Sequence, residues 1–267
     1  MRLLSDARYL LRRAGIDVTR WPHRPEEGVI DWALAEVLRS RGINCVLDVG
    51  GNRGLFARRM RDLGYAGRIV SFEPSPSVLP VIQAAAQRDP DWTVRPVALS
   101  SEPGQAELQL HEEPQLDSLL DALPGVVDQV PIMAGKGTAL ITLSTLEAEF
   151  PAAVAGIAEP QVLLKSDTQG YDEEVIRGAG PRGLDPAVVA VLVELAAQPI
   201  YSGQPAMTAV MELIMDGGFT PVAFEPFWRS PDGLRVVELD ALFLRPADSG
   251  PDWGDPRPAH GRAASHS

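Results

Sequence analysis

The sequence is poor in cysteine and has no long apolar run. Its 267 residues include one cysteine, Cys45, so no disulfide can form within the chain and a reducing, cytoplasmic location is predicted. No stretch approaches the roughly 18 uninterrupted apolar residues that a membrane helix needs. The first residues, Met1 to Arg13, have no apolar core like that of a secretory signal. The sequence therefore predicts a protein without a membrane span.

Positive charge is also scarce. The chain has 24 Lys and Arg residues against 36 Asp and Glu residues, which gives a formal net charge of -12. Only Lys136 and Lys165 are lysines. Such a surface repels phosphate backbones, so we expect no nucleic-acid partner. A neutral or cationic small molecule is the better match to this charge balance.

Most of the chain alternates between short apolar runs and helical patterns. Runs at 44–49, 68–72, 92–99, 162–167 and 188–194 indicate strands, and helical periodicity follows most of them. This alternation with short turns predicts an α/β fold with a mainly parallel sheet. Runs at 220–224 and 240–244 predict an antiparallel C-terminal hairpin that completes a seven-stranded sheet.

The two ends and the middle of the chain depart from this alternation. Residues 1–40 predict a short helical extension that packs on the domain or on a second subunit, which leaves homo-oligomerisation open. Residues 41–246 form the predicted main domain. Within it, the polar stretch 100–137 predicts loops over a pocket, with edge strands near 106–110. Residues 247–267 have almost no large apolar side chains, which predicts a disordered tail.

The turn after the first strand has the clearest functional pattern, Asp48-Val49-Gly50-Gly51-Asn52-Arg53-Gly54. Glycines there let the backbone turn tightly and let a ligand approach the main chain, and open α/β sheets bind ligands at this edge. Asn52 stands where a dinucleotide loop has its second glycine. Asp48 places a carboxylate near the ligand, which favours a cationic cofactor such as S-adenosylmethionine. A turn with a purely structural role is the alternative.

An acid follows at the end of the second strand. Glu73 stands 25 residues after Asp48, and an acid at this place can accept hydrogen bonds from both hydroxyls of a ribose. Enzymes that use NAD have an acid here too, so Glu73 does not distinguish the two cofactors.

Several ordered motifs together resemble the FkbM methyltransferases. They are Val46–Gly54, Ser71-Phe72-Glu73-Pro74, Leu164–Asp172, Val193-Glu194-Leu195 with Tyr201-Ser202-Gly203-Gln204, and Leu239–Arg245. The similarity covers roughly residues 40–246. The chain departs from the family pattern at Gly51, where the family usually has alanine, and at Asp172, where it usually has glutamate.

The resemblance implies a Rossmann-like class I methyltransferase fold. It also implies transfer of the methyl group of S-adenosylmethionine to an oxygen, often a hydroxyl of a sugar, polyketide or other secondary metabolite. The acceptor would be a small molecule or a glycan. The predicted cofactor contacts are Asp48, Gly50, Gly51, Asn52, Gly54, Glu73, Pro74, Ala98 and Ser118.

Methyl transfer to a hydroxyl requires alignment of the oxygen and a group that takes its proton. Lys165 and Asp167 end the fourth strand, where alternation puts them on one face; a salt bridge that holds the loop is the structural alternative. Glu194 ends the fifth strand. Asp167 and Glu194 would together suit a divalent cation such as Mg²⁺, because hard cations prefer carboxylate ligands.

Two other classes of protein compete with a methyltransferase. An NAD(P)-dependent reductase is disfavoured by Asn52 in the glycine loop and by the lack of a Tyr-x-x-x-Lys pair. A non-catalytic cofactor-binding protein is disfavoured by the intact Asp48, Gly54 and Glu73. N- and C-methyltransferases would share all of these cofactor residues, so oxygen as the acceptor atom depends on the resemblance alone.

Overall fold

A seven-stranded sheet organises residues 28–246, the part of the chain that the computed structural model describes. Its strands lie in the order β3-β2-β1-β7-β8-β10-β9, and a second sheet has the order β4-β6-β5. The strands are β1 Cys45–Val49, β2 Arg68–Phe72, β3 Trp92–Arg95, β4 Ala98–Leu99, β5 Gly104–Leu110, β6 Gly137–Ser144, β7 Val162–Ser166, β8 Val188–Ala196, β9 Thr220–Arg229 and β10 Val236–Leu244. The helices are α1 Val29–Ser40, α2 Leu55–Asp62, α3 Leu79–Ala86, α4 Pro124–Gln129, α5 Leu146–Ala153, α6 Asp172–Arg177 and α7 Met207–Asp216, with 3₁₀ turns at Pro114–Leu116 and Pro131–Met133.

The main sheet is parallel except at one edge. β1 pairs in parallel with β2 and β7, β2 with β3, and β7 with β8. β10 runs antiparallel to both β8 and β9. The predicted α/β class, with a mainly parallel seven-stranded sheet and an antiparallel C-terminal hairpin, is confirmed.

Helices cover both faces of this sheet, which explains why its central strands are apolar throughout. Every residue of β1 and of β7 is buried. On one face, α1, α2 and α3 pack Leu34, Met60 and Ile82 into the core, and on the other α5 and α7 pack Phe150 and Ile214. A parallel sheet buried on both faces produces such continuous apolar runs rather than an alternating pattern.

The structure differs from the sequence prediction between residues 92 and 144. The run predicted as one strand, 92–99, divides at Pro96 into β3 in the main sheet and β4 in the small sheet. Proline donates no backbone hydrogen bond and restricts the residue before it, so it ends a ladder. The edge strand expected near 106–110 is β5, and β6 pairs antiparallel with it from Gly137 onwards.

Some predictions fall outside the described residues. Residues 1–27 of the predicted helical extension and the predicted disordered tail, at residues 247–267, lie outside the range 28–246. The part of the extension within that range contains α1. No helix within residues 28–246 has the length and apolar character needed to cross a membrane. The division into extension, main domain and tail stays a prediction.

A substitution at Gly50, the first glycine of the β1–α2 loop, tests how tightly this loop packs against the chain after β7. Gly50 has a φ of +76°, and a Cβ built there would lie 1.9 Å from the Asp167 carbonyl oxygen. Gly64 has a φ of +86° and nothing within 4 Å of such a Cβ, so it is a matched control. We expect Gly64→Ala to lower the free energy of unfolding by about 1–2 kcal/mol through backbone strain alone. Gly50→Ala should lose about 1–3 kcal/mol more, because backbone must move to relieve the overlap.

Urea unfolding of both variants measures this difference. Equal losses would show that the loop can move away from β7 at little cost.

Candidate functional site

A cavity of about 640 Å³ runs along the carboxyl edge of the main sheet. Its wall includes the residues that follow β1, β2 and β7, the end of β9 and the start of β10. Residues of the segment 114–119 and of the turn near Met133 close its outer side. Ligands of open α/β sheets bind in the crevice outside the carboxyl ends of the strands, and this cavity occupies that place.

The glycine loop between β1 and α2 forms one end of the cavity. Gly50 and Gly54 each have a φ of 76°, and Asn52 has a φ of 45°. The backbone N–H groups of Gly50 and Gly51 both donate to the Phe72 carbonyl, at 3.0 and 3.1 Å. These bonds hold the loop against the end of β2. Of the glycines predicted to contact the cofactor, Gly50 lines the cavity, whereas Gly51 packs on Ile82 and Ser71 and Gly54 packs on Trp92.

Glu73 lies next to this loop, at the cavity wall. One carboxylate oxygen accepts from the Asn52 backbone N–H at 2.6 Å, and the other accepts from the Ser75 N–H at 2.7 Å. Burial raises the pKa of Glu73 to about 7, although these two hydrogen bonds oppose the shift. Each carboxylate oxygen can still accept a further hydrogen bond from a ligand. Pro74 and Ala98 line the same part of the cavity.

Behind the glycine loop lies a buried ion pair. Asp48 is 0% exposed; one of its oxygens accepts from the Ser71 hydroxyl at 2.8 Å, and the other lies 3.2 Å from the Lys165 ammonium. The ammonium also donates to the carbonyls of Val49, at 3.2 Å, and Gly50, at 2.9 Å. Burial alone would lower the pKa of Lys165, but the charges of Asp167 and Asp48 raise it above its usual value. Neither Asp48 nor Lys165 lines the cavity, so both residues act on it through the loop.

Asp167 stands at the cavity mouth and is the exposed partner of the same lysine. Its side chain is 40% exposed and lies 3.4 Å from the Lys165 ammonium. The salt bridge that the sequence offered as the structural alternative is therefore present, and Asp167 follows the end of β7 rather than lying within it. Asp167 is also part of the cavity wall, where its carboxylate can contact a ligand.

An amide lies between Asp167 and Glu194, where the sequence suggested a divalent cation. The Gln169 side-chain nitrogen donates to Glu194 at 2.9 Å and lies 3.4 Å from Asp167, while its oxygen accepts from the Tyr201 hydroxyl at 2.8 Å. Gln169 has a φ of 54°, which turns the chain sharply at this point. Within residues 28–246, no group of three or more His, Cys, Asp or Glu side chains is arranged to hold a metal ion. The arrangement thus gives the suggested magnesium site no support, and we do not propose it.

Glu238, on β10, is a site residue that sequence reasoning missed. It lines the cavity, is 4% exposed and shares a hydrogen bond with Glu194. Burial raises the pKa of Glu238 to about 8 and that of Glu194 well above its usual value. The sequence does carry a signal, an acid inside the apolar run Val236–Leu239, but we predicted that this strand begins at residue 240.

The segment before α4 covers the cavity and is tied to the site by side chains. Ser118 donates through its hydroxyl to the Gln169 carbonyl at 2.7 Å. Asp117 accepts from the Ser75 hydroxyl at 2.7 Å, and the Asn52 side chain donates to the Pro114 carbonyl at 3.0 Å. This cover is therefore attached to the glycine loop and to the β2 end.

The cavity wall has several carboxyl groups and no basic side chain from residues 28–246. The acids are Glu73, Asp117, Asp167, Glu194 and Glu238. A wall of this kind suits a cationic ligand better than a pyrophosphate. S-adenosylmethionine carries a sulfonium and an ammonium and has no phosphate, so the residues present fit it.

The sheet order, the glycine loop and the acid at the end of β2 define a Rossmann-like class I methyltransferase. The sequence model described as "Methyltransferase FkbM domain" matches residues 48–221. The chain belongs to the FkbM methyltransferase family, as its motifs indicated. The reductase alternative is therefore wrong.

Solved structures of similar fold are distant in sequence. A putative methyltransferase from Thermobifida fusca YX is 11% identical, with 81% of this chain and 78% of that chain covered and a TM-score of 0.42. Magnesium protoporphyrin IX methyltransferase from Synechocystis PCC 6803, with bound SAM, is 12% identical over 82% and 77%, with a TM-score of 0.42. Aeropyrum pernix fibrillarin, in complex with natively bound S-adenosyl-L-methionine, is 14% identical over 80% and 74%, with a TM-score of 0.40. No curated protein matches the chain.

The buried acids predict that the protein loses stability as pH rises. Burial raises the pKa of Asp172 to about 6, of Glu73 to about 7 and of Glu238 to about 8. Between their usual pKa values and these raised ones, the folded state binds more protons than the unfolded state. The free energy of unfolding should therefore fall from about pH 5 to about pH 8. Urea unfolding across this range measures the slope.

The matched variants for this test are Glu238→Gln and Glu107→Gln. Glu238→Gln should make the slope shallower, because it removes one of the groups that titrates, whereas Glu107 is exposed on β5 and its change should leave the slope as it is. A stability that rises through this pH range would contradict the raised pKa values.

Proposed function

We propose that the protein transfers the methyl group of S-adenosylmethionine to a hydroxyl of a small molecule, such as a sugar, polyketide or other secondary metabolite. The observation that carries the proposal is the position of Asp167 and Glu194 in the wall of the cavity that the glycine loop closes at one end. Cofactor and acceptor can thus lie in one cavity, with carboxylates at the junction. Family membership supports methyl transfer, and these carboxylates support oxygen as the acceptor atom.

The cofactor end of the cavity is the part near β1, β2 and β4. Gly50, Asn52, Glu73, Pro74, Ala98 and Ser118 line it. We propose that Glu73 accepts the ribose hydroxyls and that the backbone near Gly50 contacts the amino-acid part. Asp48, Gly51 and Gly54 support the loop from behind and are positioning residues. When bound, S-adenosylmethionine supplies an electrophilic methyl group on a sulfonium that leaves readily.

The acceptor hydroxyl must lose a proton as its oxygen forms the new bond. Glu194 and Asp167 are the candidate bases, and their surroundings differ. The Lys165 ammonium lies 3.4 Å from Asp167. Burial and neighbouring acids raise the pKa of Glu194, so its carboxylate takes a proton more readily than an ordinary glutamate does. We propose that Glu194 takes the proton, that Asp167 orients the hydroxyl, and that Lys165 holds Asp167.

Binding of the cofactor can be tested at Glu73 without an acceptor. Glu73→Ala should weaken S-adenosylhomocysteine binding by about 10- to 100-fold, because it removes a carboxylate that accepts hydrogen bonds from the ligand. Glu107→Ala makes the same change at an exposed position and should bind as the wild type does. Isothermal titration calorimetry measures both, and NADPH should give no heat of binding.

A cooperative thermal transition in each variant separates loss of binding from loss of the fold. Unchanged affinity in a folded Glu73→Ala variant would remove Glu73 from the cofactor site.

The catalytic assignment predicts that turnover and cofactor binding respond differently. Glu194→Gln and Asp167→Asn should each lower kcat by about 10²-fold or more, since general base catalysis typically contributes that much. S-adenosylhomocysteine affinity should change by less than about threefold, because neither side chain is assigned to the cofactor. Asp128→Asn, an exposed change on α4, is the control for both measurements.

Turnover is followed with S-adenosylmethionine carrying a ¹³C methyl group and a panel of hydroxylated acceptors. The chemical shift of the labelled carbon in the product distinguishes a methyl ether from N- and C-methyl groups. Equal losses of kcat and affinity would make these residues structural, and an N- or C-methyl product would overturn transfer to oxygen. A protein that binds S-adenosylhomocysteine but turns over none of the panel would favour the non-catalytic alternative.

A further inference from the structure

The end of the cavity opposite the glycine loop is built by the β9–β10 hairpin. Phe227 and Trp228 close β9, and Glu238 stands near the start of β10; all three line the cavity. Trp228 and Glu238 are direct partners across the antiparallel ladder. Side chains of such partners lie on the same face of a sheet, with Cβ atoms about 5 Å apart. The indole ring and the carboxyl group are therefore neighbours on the cavity side.

The ladder is irregular at this pair. Its register shifts between Val236 and Glu238 and again between Glu238 and Leu239. Bulges of this kind redirect side chains and are common next to functional sites. Here the irregularity lies at Glu238 itself, beside the cavity.

One oxygen of the Glu238 carboxyl group has no donor. Oε1 is buried and accepts no hydrogen bond from the residues in the range 28–246. A buried polar atom without a donor is unfavourable, so a donor supplied by a ligand would be stabilising. Thr168, in the same cavity wall, likewise has a buried hydroxyl oxygen without a partner.

Apolar side chains line the same cavity. Phe227 is 54% exposed, and Ile132 is also largely exposed; both line the cavity. Val130 and Met133 complete the same wall, and Trp228 packs against a cluster that includes Met133 and Tyr201. Large apolar side chains left open to water in a cavity mark a place where an apolar ligand gains by burial.

We propose that this hairpin is the acceptor subsite, which binds a hydroxylated molecule with a planar or ring-shaped apolar body against Phe227 and Trp228 and accepts a hydrogen bond from its hydroxyl at Glu238. The inference rests on the proposed function, because Glu238 shares a hydrogen bond with Glu194, so that a proton taken up by Glu238 reaches Glu194 through that bond. A free sugar fits less well, since most of its hydroxyls would face Val130, Ile132 and Met133 without partners. The three hairpin residues lie beyond the stretch 48–221 that the family model matches.

The test uses 2-naphthol, which combines an apolar ring body with one hydroxyl. Its affinity is measured by equilibrium dialysis, with and without saturating S-adenosylhomocysteine. Three analogues are compared with it: 2-methoxynaphthalene has no hydrogen to donate, 2-naphthylmethylamine carries a positive charge, and methyl α-glucoside has hydroxyls but no apolar body. We expect 2-naphthol to bind at least about tenfold more tightly than any of the three, which corresponds to about 1.4 kcal/mol.

The variants separate the two parts of the subsite. Trp228→Ala should weaken binding of 2-naphthol and of 2-methoxynaphthalene alike. Glu238→Gln should remove most of the preference for 2-naphthol and leave 2-methoxynaphthalene unchanged. Phe224→Ala is the control, because Phe224 is an exposed aromatic residue of the same strand and is not part of the cavity wall.

Each result decides between the two proposals. S-adenosylhomocysteine binding without 2-naphthol binding would show that the subsite is wrong, and the proposed function would stand. The same holds if 2-naphthol binds to Trp228→Ala and to Glu238→Gln as tightly as to the Phe224→Ala control. Tighter binding of the amine or of the glucoside would also overturn it. If S-adenosylhomocysteine fails to bind while 2-naphthol shows the expected pattern, the proposed function fails, and the hairpin is a binding site for such a ligand but not the acceptor subsite of a methyltransferase.

Discussion

The site depends on one buried ion pair, that of Lys165 with Asp48. The ammonium neutralises a carboxylate that has no exposure to water, and it also donates to the carbonyls of Val49 and Gly50. These contacts join β7, β1 and the glycine loop at a single point. Removing one partner of such a pair leaves an uncompensated charge inside the protein, which is strongly destabilising. Lys165, one of the two lysines of the chain, is therefore needed for the glycine loop to keep its shape.

The same lysine forms an ion pair with one acid of the cavity wall. Asp167 lies 3.4 Å from the ammonium, whereas Glu194 shares a hydrogen bond with Glu238, and burial raises the pKa of both. Gln169 keeps Asp167 and Glu194 connected through its amide. The cavity thus places a carboxylate that is paired with a cation next to a carboxyl pair that can accept hydrogen bonds and protons.

The cofactor end could be predicted from sequence because short segments encode it. A buried strand, a glycine turn and an acid after the next strand suffice to place Asp48, Gly50 and Glu73 at one edge, and the end of the apolar run 162–167 suffices to bring Lys165 and Asp167 there. Gln169 could not be predicted as a bridge, because its reach depends on a left-handed backbone that nothing in its neighbours requires. Glu238 was missed because the last strand was predicted to begin at residue 240, whereas β10 begins at Val236. The small sheet was missed because Pro96 splits an apolar run that otherwise looks continuous.

The two ends of the cavity differ in how they are built. The glycine-loop end is formed by consecutive β-α units, and its loop is tied to the core through the Lys165 pair, so substitutions there disturb the fold. The opposite end brings together the turn at Pro131–Met133, the Tyr201 region and the β9–β10 hairpin, which are far apart in sequence and share a small separate apolar cluster. If that end binds the acceptor, as proposed, substitutions in the hairpin would change which acceptor fits while the glycine loop at the other end keeps its shape.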